Sequence, residues 1–474
     1  MISFKNARCA LLVTFLFIVL SLAPSSFASS PSRGGENRGW RARAHATGVQ
    51  HDLQATATEE APPITHYSLP PKKEREAVHL AKTGRRIFLG EFITETVVLL
   101  LLLISGWAAK FRDWAERISP RRIIQAAIFW PLLLLTLDAA LLPFQIWGHA
   151  LVRSYGLSVQ SWLSWALDWL KGEAVSIVVV AFVGWLVATL IRRSPRRWWL
   201  AAWAVSIPLI ILGVYAEPFV IEPLFFDFRP LAAAHPALAG KVQQTAARAG
   251  VAIPQDKIFE MLASKKVSWV NAYVAGIGNS KRVVFWDTLL ARTDDNGALF
   301  TFGHELGHYA LDHAWQYIGL CAIGLLIGYP LLASISAIVL RRFGERWRIQ
   351  SAHDWVAIAV LLLIVNVTQV AFMPLQNFTT RRFEHQADVF GLELMHGAVP
   401  DAPQAAARIF QVLGEANLEE PSPSRSTVFW FYSHPPIAAR INFALHYDPW
   451  GAGEKPEFNF APPAAPASSQ APSH

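Results

Sequence analysis

Six long apolar stretches, separated by short polar segments, dominate the pattern of the chain. They cover residues 92–109, 123–147, 174–191, 198–215, 317–340 and 355–375. Each has about twenty apolar residues, the length that an α-helix needs to cross a hydrocarbon core of about 30 Å. The pattern therefore predicts six membrane helices. Buried helices of a large soluble protein are the alternative, and runs of this length disfavour it.

The two ends of the chain have different patterns. Lys5 and Arg8 precede an apolar run, and Ser26-Phe27-Ala28 follows it. This order is typical of a signal peptide with a small-residue cleavage site, but segment 1–30 is equally compatible with a first membrane helix. Residues 451–474 are rich in Pro, Ala and Ser, and they are predicted to form a disordered tail.

Two stretches between the apolar runs have soluble character. Residues 217–315 alternate strand and helix patterns, and residues 376–450 are polar and mostly helical. Within the first stretch, residues 268–275 and 283–286 have strand composition and flank a Gly-Ile-Gly-Asn loop, which indicates a β-hairpin.

The composition supports insertion into a membrane. The 474 residues are 53% hydrophobic and only 16% charged, whereas soluble domains have roughly 25% charged residues. Much of the surface must therefore face something other than water. Intrinsic disorder as the main state is excluded, because disorder needs low hydrophobicity.

One short motif carries candidate chemistry. On a helix, His304 and His308 lie on one face one turn apart, where two imidazoles can bind one Zn²⁺. Glu305 lies beside them, where its carboxylate can accept a proton from a water molecule. Gly303 and Gly307 remove bulk, so another backbone can approach this helix. A chance match to the motif is the alternative.

A catalytic zinc usually has three protein ligands and one open position, so a third ligand is needed. Glu384 is the candidate, and Asp388 lies one turn beyond it, where it can accept a hydrogen bond from a ligand imidazole and fix its orientation. A solvated surface acid is the alternative for Glu384. His385 cannot share the metal face, because it lies about 100° round the helix. His313 follows the motif on the same helix and is interpreted as structural.

Further motifs run through most of the chain. In order, they are Tyr67-Ser-Leu-Pro70, Ala216-Glu-Pro218, Asn271-Ala-Tyr273, Lys281-Arg-Val-Val-Phe285 with Asp287-Thr-Leu-Leu290, segments 304–308 and 384–388, and Ser433-His434-Pro435. Together they resemble the type-I CAAX prenyl endopeptidase family, integral-membrane zinc peptidases of the gluzincin kind. The resemblance covers roughly residues 67–447. The HtpX-like heat-shock proteases share the zinc motif but are much smaller and have fewer spans.

The resemblance implies roles for the residues of the motif. His304, His308 and Glu384 match the ligands of one Zn²⁺ per chain, and Glu305 matches the general base. In such a mechanism the zinc ion polarises the scissile carbonyl, and the base takes a proton from water and later delivers it to the leaving amine.

The resemblance also implies residues that contact the substrate. Asn271, Ala272 and Tyr273 match an edge strand that pairs with the substrate backbone by main-chain hydrogen bonds. His434 and Arg440 match residues near the oxyanion, where one donor is often worth about 3 kcal/mol. Without the resemblance, Asn271 would be a turn former, and the other two would be ordinary surface residues.

These observations predict a mainly α-helical fold, a multi-pass membrane helix bundle with an HExxH zinc-peptidase domain that contains a small β-hairpin. The predicted units are a signal peptide or first membrane helix (1–30), a flexible segment and juxtamembrane helix (31–89), four membrane helices (90–216), the zinc-peptidase domain (217–316), two membrane helices (317–375), the third-ligand helix with the C-terminal part of the peptidase domain (376–450) and a disordered tail (451–474).

The predicted function is that of an integral-membrane zinc metalloendopeptidase. Its expected partners are peptide or protein substrates and the lipid bilayer, and the resemblance adds prenylated C-termini. The alternatives are a catalytically silent membrane scaffold or chaperone of the same fold, and a membrane-protein quality-control protease of the HtpX-like type. A transporter is disfavoured, because the chain shows no repeat halves.

The distribution of basic residues bears on the orientation. Loops 110–122, 192–197 and 341–354 carry five, four and four of them, thirteen in all, and span counting puts these loops on one side. The positive-inside rule places that side in the cytoplasm, so the zinc domain would face the periplasm of a bacterial inner membrane. Because these basic residues lie in short loops next to the membrane, no nucleic-acid partner is expected. Six basic residues between positions 72 and 86 disagree. The resemblance disagrees too, because eukaryotic members place the zinc domain on the cytosolic side.

Overall fold

The structure, a computed structural model, describes residues 62–458 and residue 460. Segment 1–30, the predicted signal peptide or first membrane helix, lies outside the described residues. Within the described part, six helices are long and apolar enough to cross a membrane. They are Pro71–Ile104, Arg122–Arg153, Trp162–Arg193, Trp198–Phe225, His313–Phe343 and Trp355–Met395. These helices confirm the predicted multi-pass bundle.

The described helices are numbered here in chain order. They are α1 (Pro71–Ile104), α2 (Trp107–Ile118), α3 (Arg122–Arg153), α4 (Trp162–Arg193), α5 (Trp198–Ala216), α6 (Glu222–Phe225), α7 (Leu231–Ala234), α8 (Pro236–Arg248), α9 (Asp287–Leu290), α10 (Asp295–Ala310), α11 (His313–Phe343), α12 (Trp355–Met395), α13 (Ala402–Ala416), α14 (Arg425–Phe431) and α15 (Ile437–His446). A π-helical turn, Glu217–Ile221, joins α5 to α6.

The apolar run at 92–109 does not form one helix. α1 ends at Ile104, and Gly106 has a φ of 78°, a left-handed conformation that glycine adopts without steric cost. The chain turns there into α2, which packs against α3. Hydropathy alone does not separate such a short helix from the span before it.

A buried ion pair fixes the Arg-rich end of the bundle. Arg112 on α2 donates hydrogen bonds to Asp354 and to the backbone carbonyl of Arg348, both at 2.7 Å. The guanidinium of Arg122 lies 4.1 Å from the ring centre of Trp355, the first residue of α12. These contacts tie α2 and α3 to the loop before α12, and Arg192 at the end of α4 is close enough to Arg122 for their charges to interact, so the three Arg-rich loops lie at one end of the helices.

A four-stranded sheet lies at the other end, in the order β1-β2-β4-β3. The strands are β1 (Phe228–Pro230), β2 (Ile258–Met261), β3 (Ala272–Ala275) and β4 (Arg282–Trp286). β3 and β4 pair antiparallel, as the predicted hairpin requires, although β3 begins at Ala272 rather than at residue 268. Because β3 is last in the order, one of its edges is not paired within the sheet.

A second buried ion pair joins this sheet to the membrane helices. Glu222 at the start of α6 pairs with Arg282 on β4, and both side chains are buried. The guanidinium of Arg282 also lies over the rings of Phe228 and Phe259. Loss of either charge would leave the other buried without a partner, so the pair favours one orientation of the sheet.

The chain beyond α15 differs from the predicted disordered tail at 451–474. Glu393 on α12 accepts hydrogen bonds from the backbone amides of Glu457 at 2.7 Å and Phe458 at 2.6 Å. The ring of Phe390 contacts those of Phe458 and Phe460. Composition does not reveal a buried acceptor such as Glu393, so the prediction of a disordered tail did not include these contacts of residues 457, 458 and 460. The rest of the tail lies outside the described residues.

Candidate active site

The helices α10 and α12 make the most extensive helix–helix contact in the described part of the chain. A Cβ atom at Gly303 would lie 3.4 Å from Cα of Gly391, and one at Gly307 would lie 3.1 Å from Cα of Ala387. Both motif glycines therefore admit the neighbouring backbone, as expected from the sequence. This close approach brings Glu384 over the two histidines of α10.

The three predicted ligands meet at one point. The Nε2 atoms of His304 and His308 are 3.2 Å apart, and they lie 3.4 and 3.5 Å from the two carboxylate oxygens of Glu384. A tetrahedral zinc with bonds of about 2.1 Å separates its ligand atoms by about 3.4 Å. Glu384 Oε2 is buried and has no hydrogen-bond partner among the described residues. The spacing and this buried oxygen fit a bound cation.

Asp388 lies where the sequence predicted it. Its Oδ1 is 2.9 Å from Nδ1 of His304. Arg440 donates to both oxygens of Asp388, at 2.9 and 2.5 Å. Burial alone would lower the pKa of His304, but the neighbouring carboxylates of Asp388 and Glu384 outweigh it and raise the pKa to about 10. Asp388 therefore fixes the ring so that Nε2 faces the other ligands.

His313 does not lie on the motif helix, so this part of the prediction is wrong. α10 ends at Ala310, Asp312 has a left-handed φ of 52°, and α11 begins at His313. The break turns His313 back, so that its Nδ1 lies 2.8 Å from Nδ1 of His308. Its ring stacks on Phe383. His313 thus orients one of the predicted ligand histidines, a role that residue spacing did not reveal because the helix breaks at Asp312.

Glu305 is buried beside the ligands. Burial raises the pKa of this carboxyl to about 8, although a hydrogen bond with the backbone of Val274 opposes the shift. A group with a pKa near neutrality can both accept and return a proton, which is what general acid–base catalysis requires. The sequence predicted its place next to the ligands, but not its link to β3.

One cavity connects the ligands with the edge strand. Asn271, Ala272 and Tyr273 all line it. The hydroxyl of Tyr273 lies 3.9 Å from Sδ of Met261 in the core, so this residue presents mainly its backbone to the cavity. Asn271 precedes β3 rather than belonging to it, and its carbonyl accepts a hydrogen bond from the amide of Trp286.

The two predicted oxyanion residues differ in their contacts. His434 lines the cavity with 46% of its side chain exposed, and its Nε2 is 3.3 Å from Oε1 of Glu384. Arg440 also lines the cavity, but its Nε and one terminal nitrogen bind Asp388. His434 is therefore placed to contact a substrate, whereas Arg440 is engaged behind the ligands.

Metal donors next to an unpaired strand edge are the arrangement that holds an extended peptide against a reacting group. On six membrane helices, this arrangement defines an integral-membrane metalloprotease. Residues 232–448 match the model of peptidase family M48, and residues 54–227 match the model described as CAAX prenyl protease N-terminal, five membrane helices. The chain belongs to peptidase family M48 and to its CAAX prenyl protease-like members.

Individual relatives agree with this assignment. The chain is 33% identical over 354 residues to the uncharacterized metalloprotease YhfN of Bacillus subtilis. The aligned region covers 73% of this chain and 79% of that protein. It is 25% identical over 447 residues to the CAAX prenyl protease 1 homolog of Homo sapiens, with 83% and 90% covered. The crystal structure of S. mikatae Ste24p has the same fold, with a TM-score of 0.68 at 21% sequence identity. The superposition covers 82% of this chain and 93% of the Ste24p chain.

Proposed function

We propose that the protein is a zinc endopeptidase that cleaves extended peptide segments next to the membrane. The observation that carries the proposal is the tetrahedral spacing of the donor atoms of His304, His308 and Glu384, with Glu305 and an unpaired strand edge in the same cavity. The donor set favours one zinc per chain and leaves one position open for the reaction. When bound, zinc would supply Lewis acidity and lower the pKa of a water at that position.

Glu305 is proposed as the general base. Its carboxylate would accept a proton from the attacking water and would then donate it to the leaving amine. His434 is proposed as the donor that stabilises the oxyanion, because its ring is open to the cavity. Arg440 is proposed as a positioning residue, because its hydrogen bonds hold Asp388 against His304.

The backbone of residues 271–273 is proposed as the substrate-binding edge. These residues line the cavity, and β4 occupies only one side of β3. A peptide added to the other side would gain main-chain hydrogen bonds irrespective of its side chains. Its scissile bond would then lie near Val274, whose backbone contacts Glu305.

The Glu305→Gln variant tests this proposal. It keeps the size of the side chain and all three ligands, so we expect it to bind zinc as the wild type does. Loss of the base should lower peptide cleavage by 10²–10⁴-fold, roughly the usual contribution of such a group. Cleavage at the wild-type rate by the zinc-loaded variant would refute the role of Glu305.

The orientation is proposed to be outward, into the periplasm of a bacterial inner membrane. The three Arg-rich loops lie at the end of the bundle where α12 begins, whereas Glu384 lies roughly eight turns further along this helix. The Arg-rich end is expected in the cytoplasm. The contrary basic residues in the first half of α1 are partly neutralised, since Arg85 pairs with Glu420 and Lys73 with Glu415. A reporter fused after His474 tests this: activity of a reporter that works only in the cytoplasm would refute it.

Prenylated C-termini are a second candidate substrate class, because several relatives are CAAX prenyl protease 1 homologs. An outward site would not meet prenylated proteins made in the cytoplasm, so we propose that a prenyl group is not required. Purified protein would be offered matched peptides with and without the prenyl group, and cut sites would be mapped by mass spectrometry. Cleavage of the prenylated peptides alone would contradict the proposal.

A further inference from the structure

A short turn after α13 holds Glu419 in the lining of the active-site cavity. The side-chain amide of Asn417 exchanges two hydrogen bonds with the backbone of Val270, at 3.0 and 3.2 Å. Leu418 has a left-handed φ of 48°, and Tyr67 donates a hydrogen bond to the carbonyl of Glu419 at 3.0 Å. The position of Glu419 is therefore fixed from both sides.

The support for this turn is itself tightly packed. The ring of Tyr67 is buried against Gly414, where a Cβ atom would lie only 2.4 Å from it. The chain thus holds the backbone of Glu419 from α13 and from the segment that precedes α1. These contacts fix the backbone of Glu419 beside the cavity, as a side chain that binds substrate requires.

Three acidic residues among the described residues line the cavity, and Glu419 is the one without a role in the proposed peptidase chemistry. Glu305 and Glu384 are the proposed base and a proposed ligand. No basic side chain among residues 62–458 forms an ion pair with Glu419, whereas its neighbour Glu420 pairs with Arg85 at 3.0 Å. Burial and the neighbouring charge of Glu420 raise the pKa of Glu419, so a cationic group of a bound peptide would stabilise its charged form.

An aromatic ring accompanies this carboxylate. Tyr432 lines the same cavity and lies close enough to Glu419 and Glu420 to interact with their charges. A carboxylate beside an aromatic face suits an ammonium or a guanidinium group, which gains from the charge and from the ring.

The position along the substrate follows from the strand. The backbone of Val274 contacts Glu305, whereas Asn417 fixes Glu419 near Val270. Four residues of a strand span about 13 Å. We propose that Glu419 selects a Lys or Arg side chain of the substrate within about four residues of the scissile bond. This inference rests on the proposed peptidase function.

A set of peptides tests the inference. One neutral peptide that the wild type cleaves would carry Lys, Gln or Glu at each of four positions on either side of the cut. At one position we expect kcat/KM to be about tenfold higher for Lys than for Gln, the effect of one charge-assisted contact. Glu419→Gln should remove this ratio, and Glu419→Lys should reverse it in favour of Glu.

Glu415→Gln is the matched control. It removes the same charge four residues before Glu419, but Glu415 lies outside the cavity lining and pairs with Lys73 at 3.6 Å. This variant should keep the wild-type ratio. Equal cleavage of Lys and Gln peptides by the wild type, or an unchanged ratio in Glu419→Gln, would overturn the inference.

Binding of the same peptides to Glu305→Gln protein separates the two possible failures. Tighter binding of the Lys peptide than of the Gln peptide, with the difference lost when Glu419→Gln is added, would support the cation site. This holds even if the wild type cleaves no peptide, a result that would refute the peptidase function alone. Cleavage without any preference for Lys would refute the cation site alone.

Discussion

The two histidines proposed as ligands have different partners, a carboxylate for His304 and a third histidine for His308. Asp388 carries a negative charge that Arg440 balances, so the ring of His304 is held by a charged hydrogen-bond partner. His313 stacks on Phe383 and orients the ring of His308 without a charge. Both contacts fix the ring orientation before a metal ion binds.

The Asp388→Asn variant should bind zinc about 10- to 100-fold more weakly, because outer partners of ligand histidines typically contribute this much. The change removes the charge that orients His304 and leaves Arg440 buried without its counter-ion. Competition with a chelator of known affinity measures the effect. Asp227→Asn, at an exposed ion pair with Lys265, is the control and should bind zinc normally. Equal affinities in the two variants would contradict the role of Asp388.

Zinc binding should release a proton from His304. The pKa of this residue is raised to about 10 in the metal-free site, so the ring is protonated at neutral pH and must lose its proton to become a ligand. Burial lowers the pKa of His308 well below its usual value, so this ring is already neutral. Apparent zinc affinity should therefore rise about tenfold per pH unit from pH 6 to 8. Calorimetry in buffers of different ionisation enthalpy measures the proton, and pH-independent affinity would contradict the account.

At the scale of helices and strands, the sequence was informative where its signal is local. Long apolar runs predicted the six spans, and the spacing of His304 and His308 predicted one helical face. The turn at Gly106, the return of His313 and the binding of residues 457 and 458 by Glu393 were not predicted. The first two depend on single residues with a left-handed backbone, and the third depends on contacts between residues far apart in the chain; periodicity and composition record neither.

The contact between α10 and α12 should be sensitive to a single methyl group. A Cβ atom at Gly391 would lie 3.1 Å from the backbone nitrogen of His304. We expect Gly391→Ala to destabilise the protein by about 1–3 kcal/mol and to weaken zinc binding, because the added atom separates the ligands. Thermal unfolding in detergent and zinc competition measure the two effects.

Gly328→Ala on α11 is the control for this prediction. Nothing lies within 4 Å of a Cβ atom at Gly328. Replacing glycine by alanine within a helix should be neutral or stabilising by up to about 1 kcal/mol. If both variants were equally stable, close backbone approach at Gly391 would not be the reason for the glycine.

The whole molecule has two ends with separate roles. One end carries the Arg-rich loops and the ion pair of Arg112 with Asp354. The other carries the sheet, the cavity and the metal donors, and the long helices connect them. Stability and metal binding should therefore be separable by mutation.

Arg112→Ala tests this separation. It leaves Asp354 buried without its partner, and the expected loss of stability is about 3–5 kcal/mol. Zinc affinity at a temperature where the protein stays folded should not change. A lower unfolding temperature together with wild-type zinc affinity supports two separate ends, and an equal loss of both would contradict it.

Peptide cleavage measured against the amount of bound zinc decides whether the protein is a zinc-dependent peptidase. Purified protein would be stripped with a chelator, titrated with zinc and assayed at each step, with metal content measured in the same samples. We expect the stripped protein to be inactive, the rate to rise in proportion to bound zinc, and the rate to level off at about one zinc per chain. Cleavage by the stripped protein, or none with one zinc bound, would contradict this expectation.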